Sequence, residues 1–439
     1  MNLIPPLDHQ DIQNLTQGWQ NLSESEQTHL IKQIQALDLN TLQKQKTLVQ
    51  APPDTSANLF EPFRAFKEVG DPKAVEEGQA RLQAGQMGCL VLAGGQGSRL
   101  NFNGPKGMYP VSLIKHKSLF QLLAEKVVAA SHQAQTSLPL AIMTSPQNDQ
   151  VTKDFFVENQ RFGLSSSQLS FFSQKELPLL DASGHLFLES SCKIAQGPDG
   201  NGGSLKEFVH SGIWSDWVQR GIQYVNLIII DNPLADPFDA ELLGFHCQQA
   251  AEITLKCTEK KDPQEQVGLL VQQEDHSRVI EYSEIGEKEK QALDAKGQLQ
   301  YRCANLSLFC LSMNFIQKVA AIELPLHRAW KKGAWKFETF IFDILPYATK
   351  VAALLYPRET CFAPLKNASG DQSLQTVQAA IQSREREIIR RLTGIDPPLM
   401  PFELATDFYY PTPDLIEAWK GRQIIRGGYI NSSLKNVNI

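Results

Sequence analysis

Cys89-Leu90-Val91-Leu92-Ala93-Gly94-Gly95-Gln96-Gly97-Ser98-Arg99-Leu100, with Pro105-Lys106-Gly107-Met108-Tyr109 close behind, is the stretch on which the fold turns. Cys89 to Ala93 is a short apolar run of the kind that forms a strand buried on both faces. The glycines after it let the backbone approach a ligand closely and turn its N–H groups towards phosphate oxygens. Arg99 adds a forked cation suited to phosphate, and Lys106 a compact one. The loop is not a Walker A, because no Gly-Lys-Ser/Thr closes it. Nor is it the dinucleotide fingerprint, since Leu100 stands where the last glycine of G-x-G-x-x-G belongs. A glycine cluster alone fits a plain strand-to-helix turn equally well; Arg99 and Pro105-Lys106 tip the reading towards phosphate.

Outward from this loop, apolar runs alternate with helical patterns. Leu140-Ala141-Ile142-Met143-Thr144 and Val225-Asn226-Leu227-Ile228-Ile229-Ile230 read as further buried strands, and Val351 to Tyr356 as another. Ser118 to Val128 reads as a capped helix. This alternation predicts an α/β fold with a mixed, mainly parallel sheet flanked by helices. Ligands in such sheets bind at the carboxyl ends of the strands. Upstream, Ser23 with Glu26 has capping-box spacing, and Leu30, Ile31, Ile34 and Leu37 recur at helical intervals, so residues 1–80 are expected to be a helical appendage broken at Ala51-Pro52-Pro53-Asp54. Lys256 to Gln300 suggests strands with exposed loops, of which Ile285 to Lys296 is expected to be mobile. Gln372 to Leu392 predicts a helix, and 393–439 a small separate element.

The 439 residues carry 42 basic and 48 acidic side chains, a net charge of −6. That balance argues against a nucleic-acid partner, which requires concentrated positive charge. No apolar run reaches the roughly 18–20 residues that cross a bilayer, and the first six residues lack the basic start of a signal peptide. The seven cysteines are irregularly spaced without a C-x-x-C, as expected of reduced thiols in a cytoplasmic protein. No H-E-x-x-H or G-x-S-x-G supports zinc or covalent chemistry.

G-G-x-G-[ST]-R-L followed by P-K-G-M-Y resembles the signature of the UDP-sugar pyrophosphorylases, and most nearly that of their eukaryotic-type UDP-N-acetylglucosamine branch. Further stretches match in order: Phe171-Phe172-Ser173-Gln174 with Leu177-Pro178, Gly197-Pro198-Asp199-Gly200-Asn201-Gly202-Gly203, Ile230-Asp231-Asn232, Val279-Ile280-Glu281-Tyr282-Ser283-Glu284, Phe337 to Asp343, and Phe362-Ala363-Pro364-Leu365-Lys366-Asn367. The resemblance implies a Rossmann-like, GT-A-like catalytic nucleotidyltransferase domain over 86–370, between an N-terminal helical region, 1–85, and a small C-terminal region, 371–439. It further implies UTP and a sugar 1-phosphate as substrates, UDP-sugar and pyrophosphate as products, and Mg²⁺ as cofactor.

On this resemblance Arg99 and Lys106 hold the triphosphate and Lys366 the sugar phosphate. Backbone groups of Leu92, Gly94 and Gly95 contact the uridine. Gln174 reads the uracil edge, against which Gly200 lies; an amide offers both a donor and an acceptor there. Asn201, Glu281 with Tyr282, and Asn305 bind the sugar. Asp231, at the end of an apolar strand, suits either a helix cap or Mg²⁺; the family match favours the metal. Two departures bear on the sugar. Ser204-Leu205-Lys206 stands where the branch usually has Leu-Tyr, and Asn305 sits in Cys303-Ala304-Asn305-Leu306-Ser307-Leu308 rather than in G-N-x-x-N-H. N-acetylglucosamine 1-phosphate leads as substrate and glucose 1-phosphate comes second. A non-catalytic nucleotide-sugar binder and a transferase using another base are the competing expectations.

Overall fold

The computed structural model describes residues 7–52, 59–282 and 284–433. Pro53 and Asp54 of the predicted helix break, and Ser283 of the Val279–Glu284 stretch, lie outside them. The chain divides into two compact units. One contains Leu59–Ser173, Leu205–Ile322 and Ile344–Ile439; the other contains Met1–Asn58, Gln174–Ser204 and Glu323–Asp343.

The first unit is organised by a mixed sheet. Its principal strands are β1 (Phe66–Glu68), β2 (Met87–Leu92), β3 (Leu140–Thr144), β4 (Leu169–Ser173), β5 (Tyr224–Ile229), β6 (Ile253–Glu259), β7 (Cys303–Ser312) and β8 (Val351–Tyr356). Their spatial order is β1-β8-β6-β7-β5-β2-β3-β4. All neighbouring pairs are parallel except those of β7, which runs antiparallel to both β5 and β6. Every residue of β2 and β3 is buried. Such strands need cover on both faces, which explains their unbroken apolar sequence. Leu269–Gln273 pairs with β7, with His276–Ile280 and with Glu61–Pro62, extending the sheet at one side.

Helix Leu119–Ala134 begins where Ser118 accepts a hydrogen bond from the Gln121 amide at 3.1 Å. It buries Phe120, Leu123, Ala124 and Val127 in the core that also holds β2 and β3. Residues 374–433 belong to the same unit. Helix Leu374–Thr393 ends at Gly394, and Phe402–Leu404 pairs in parallel with Gly428–Ile430. Phe402, Phe408 and Trp419 form a core with Ile389 of that helix. The carboxylate of Glu403 accepts from the Ile114 and Lys115 amides at 2.7 and 2.8 Å, tying the tail to the loop ahead of Ser118.

In the other unit, helices His9–Thr16, Glu24–Gln35 and Leu39–Gln50 share one core with later segments: Leu30, Ile34 and Leu42 pack with Leu180, Ile194 and Phe337. The capping box at Ser23 and Glu26 is present in both directions. Gln45 donates to the Pro178 carbonyl at 3.0 Å, and Asp11 accepts from the Leu186 amide at 2.8 Å.

Glu385, on the long C-terminal helix, is 2% exposed and accepts from the Tyr409 hydroxyl at 3.2 Å. Burial pushes its carboxyl up from 4.5 to about 8. Between those values the folded chain keeps a proton that the unfolded chain releases, so stability falls as pH rises through the interval. Urea denaturation at pH 5.5 and 8.5 is expected to show Glu385→Gln losing less stability than wild type over that span, by on the order of a few kcal/mol. Equal losses would place the pH dependence elsewhere.

Candidate active site

β2 and β5 are parallel neighbours with Leu92 opposite Ile229, so their carboxyl ends stop side by side. The Ile230 amide continues the pairing to the Leu92 carbonyl at 3.1 Å. From these adjacent ends leave the glycine loop and Asp231. The glycine loop folds back on itself: Gly97 N–H donates to the Gly104 carbonyl at 2.9 Å, and Lys106 N–H donates to the Gly95 carbonyl at 3.0 Å. Gln96 and Pro105 face each other as an isolated bridge. Lys106 is thereby returned to the strand ends, where its Nζ lies 3.5 Å from Asp231 Oδ2. Both side chains are mostly covered, at 19% and 13% exposure. Arg99 sits exposed in the single turn Ser98–Leu100.

Asn232 locks a second loop onto the same strand end. Its side-chain amide donates to the Cys361 carbonyl at 2.7 Å, and its oxygen accepts from the Ala363 amide at 3.0 Å. One residue earlier, the Asp231 carbonyl accepts from the Leu365 amide at 2.8 Å. The next residue in that loop is Lys366, whose N–H donates to the Gln372 carbonyl at 2.8 Å while its side chain remains exposed. Lys106, Asp231 and Lys366 are thus drawn to one end of the sheet, with Arg99 on the glycine loop. Among the described residues neither Arg99 nor Lys366 has an ion-pair partner.

Gly95 and Gly97 of the loop differ in surroundings. A Cβ on Gly97 would come within 2.8 Å of the Phe102 ring, so packing within the loop already favours glycine there. A Cβ on Gly95 would meet nothing within 4 Å. The protein's own packing places no such demand at 95, which leaves room for a ligand against its backbone.

Glu281, Tyr282 and Asn305 gather at the added strands. Asn305 lies where β7 bulges: Lys256 faces Leu308, yet Cys257 faces Asn305. The Asn305 side-chain oxygen accepts from the Ser307 amide at 3.0 Å within the bulge, and the Asn305 backbone N–H donates to the Gly268 carbonyl at 2.9 Å. Glu281 Oε1 would stand 3.5 Å from a Cβ on Gly268, and Tyr282 is exposed. Gly268, between Glu281 and Asn305, carries no motif that would single it out in the sequence.

In the other unit Gln174 is buried, and the Gly200-Asn201-Gly202 turn docks on Thr339. Gly200 has φ +90°, and a Cβ there would meet the Thr339 carbonyl at 2.3 Å. Thr339 N–H donates to the Asp199 carbonyl at 2.7 Å, and Gly202 N–H to the Thr339 carbonyl at 3.0 Å. The Asn201 oxygen accepts from the Ile341 amide at 2.9 Å. Two sequence motifs read separately, around Asn201 and around Thr339, are therefore one interlocked structure.

Asp231 suits a hard cation on its own chemistry: its carboxylate has one partner among the described residues, the long contact with Lys106, and oxygen lone pairs remain. A different trio, Asp8, Asp11 and His185, brings ligand-type atoms within 4.8 Å of one another. Lys46 Nζ contacts both of those carboxylates, so their charge is already balanced by the chain itself.

The model of the family described as UTP–glucose-1-phosphate uridylyltransferase matches residues 25–384. A Schizosaccharomyces pombe protein named "Probable UDP-N-acetylglucosamine pyrophosphorylase" is 34% identical over 400 residues, covering 79% of this chain and 84% of that protein. UDP-N-acetylglucosamine diphosphorylase 1 of Arabidopsis thaliana is 31% identical over 385 residues, covering 80% and 76%. The solved UDP-N-acetylglucosamine pyrophosphorylase of Trypanosoma brucei, in complex with inhibitor, superposes with a TM-score of 0.80 over 94% of this chain and 96% of its own; at 24% identity that likeness carries the fold.

Asn232 is 5% exposed and holds two loop groups at once. Asn232→Ala leaves the Ala363 N–H and Cys361 carbonyl unpaired and is expected to cost about 1–3 kcal/mol in chemical denaturation. Hydrogen exchange at the Ala363 amide should accelerate in the same variant; unchanged protection there would mean the loop is held by something else.

Proposed function

The chain belongs to the UTP–glucose-1-phosphate uridylyltransferase family, and from that premise we propose that it joins UTP to N-acetylglucosamine 1-phosphate, releasing pyrophosphate. The single observation that carries this reading is the Lys106–Asp231 approach, 3.5 Å between a cation on the glycine loop and a carboxylate on the neighbouring strand end. A triphosphate needs that combination: a cation for its oxygens and an acid for the divalent ion it brings with it.

An oxygen of the sugar phosphate attacks the α-phosphorus of UTP, forming one P–O bond as the bond to the β-phosphate oxygen breaks. The electron pair leaves with pyrophosphate. The attacking monoester is already ionised at neutral pH, so no general base is needed. Catalysis then consists of alignment and charge neutralisation. Arg99 and Lys106 bind the triphosphate and the departing pyrophosphate, and Lys366 holds the sugar phosphate. Backbone groups at Leu92, Gly94 and Gly95 support the uridine; Gln174 and Gly200 serve the uracil, and Asn201, Glu281, Tyr282 and Asn305 the sugar. Asp231 holds Mg²⁺, which supplies charge neutralisation at the phosphates when bound. Among the described residues no helix is long and apolar enough to cross a membrane.

The sugar is assigned from the names of the relatives, which specify N-acetylglucosamine. Glucose 1-phosphate is a second reading, favoured by the description of the family as a whole. Pyrophosphate release from UTP, Mg²⁺ and each sugar phosphate separates them: preference for the N-acetylated sugar is expected, and preference for glucose 1-phosphate reverses the order. Absence of turnover with every sugar phosphate, despite UTP binding, would favour a binding protein instead. Lys106→Ala is expected to slow turnover by roughly 10²–10³, the scale of one transition-state charge contact. A variant within threefold of wild type removes Lys106 from the mechanism.

A further inference from the structure

Lys126 is a lysine that an amphipathic helix would ordinarily place in water. It lies instead on the core face of helix Leu119–Ala134, 5% exposed. Its Nζ donates to the Pro233 carbonyl at 2.7 Å and to the Ala235 carbonyl at 3.3 Å, and sits 4.8 Å from the Tyr409 ring. Among the described residues no carboxylate reaches ion-pair distance. Burial pushes the amine down from 10.5 to about 8. An ammonium buried without a bonded acid is costly, and an apolar side chain of the same length would ordinarily serve stability as well.

A cavity of about 210 Å³ opens beside it, and its other charged side chains each have a partner within the chain. Lys256 pairs with Asp239, Arg384 and Arg391 share Glu387, and the Tyr410 hydroxyl donates to Asp236. The ammonium of Lys126 itself is turned to the loop, onto the Pro233 and Ala235 carbonyls.

That loop is the one that leaves Asp231. Asn226 fixes its far side, donating to the Asp236 and Pro237 carbonyls at 2.8 and 3.0 Å. Asn232 fixes its near side through Cys361 and Ala363. Lys126 holds the middle. The same helix presses Phe120 against Gly107, where a Cβ would meet the ring at 2.2 Å, next to Lys106. One rigid helix thus touches the chain beside both members of the Lys106–Asp231 pair.

We propose that Lys126 is a positioning residue: by hydrogen-bonding the Pro233 and Ala235 carbonyls it sets the Asp231 carboxylate at the spacing from Lys106 that a divalent cation on the nucleotide requires. This rests on the metal role proposed for Asp231. Direct partners of a metal ligand typically cost 10–100-fold in affinity when removed; Lys126 acts one step further out, on the backbone that carries Asp231, so the low end of that range applies.

The test is the dissociation constant of Mn²⁺ in the presence of UTP, read by electron paramagnetic resonance on the full chain. Lys126→Met, which keeps length and loses the donors, is expected to weaken Mn²⁺ roughly tenfold or more. Lys126→Gln, which keeps one amide donor, should fall between. Leu123→Ala on the same helix lowers stability and should leave Mn²⁺ affinity within twofold. Mn²⁺ affinity within twofold of wild type in both Lys126 variants overturns the proposal. Asp231→Asn separates the two readings: if it leaves Mn²⁺ binding intact, the metal role of Asp231 falls; if it abolishes binding while Lys126→Met does not weaken it, the role of Lys126 alone falls.

Discussion

Two parallel strands must end level with one another for any of this chemistry to be assembled. The pairing of Leu92 with Ile229 is that constraint. It puts the start of the glycine loop and the start of the Asp231 loop side by side at the carboxyl ends of two central strands. Local closure completes the arrangement: Lys106 returns by a hydrogen bond to Gly95, and Lys366 is brought in by Leu365 binding the Asp231 carbonyl. Opposite charges from separate loops therefore converge without either having to order a long segment for itself, and most of the entropy of arranging them is lost on folding rather than on binding.

The loops behind these strand ends are held by polar groups that have little to do with packing area. Asn226, Asn232 and Lys126 are all buried, and each bonds backbone carbonyls or amides of irregular chain. Irregular backbone that is buried must find partners outside regular ladders. Here side chains from the neighbouring strand and helix provide them. The consequence is a rigid loop after β5, fixed on both flanks, in a region where turns are otherwise mobile.

The fold was legible because its strands are buried on both faces. The runs Leu140–Thr144 and Val351–Tyr356 are apolar up to their last residue and begin and end where β3 and β8 do. Ser23 with Glu26 announced its helix through a reciprocal cap that needs no tertiary context. The antiparallel β7 was not legible, because nothing local in Cys303–Ser312 states which neighbours it joins. The partition into units was equally hidden: Leu30 and Phe337 share a core across some 300 residues of sequence. At the candidate site, charged residues in motifs could be picked out by type and spacing. Gly268 and Lys126 could not, since both look ordinary in sequence; Asn232 and Thr339 lie within the matching stretches, but the distant backbone atoms they hold are not written there.

The region proposed for the sugar separates a motif from the group that the motif carries. Asn305 stands outside the expected G-N-x-x-N-H pattern, and its oxygen is engaged by Ser307 to form the β7 bulge. Its side-chain amide N–H₂ has no partner among the described residues, so what it can present is a donor. An amide donor of this kind pairs with a carbonyl oxygen, and an acetamido group carries one. The role proposed for Asn305 therefore asks only for the N–H₂ that the bulge leaves over, and the surrounding G-N-x-x-N-H is not what supplies it.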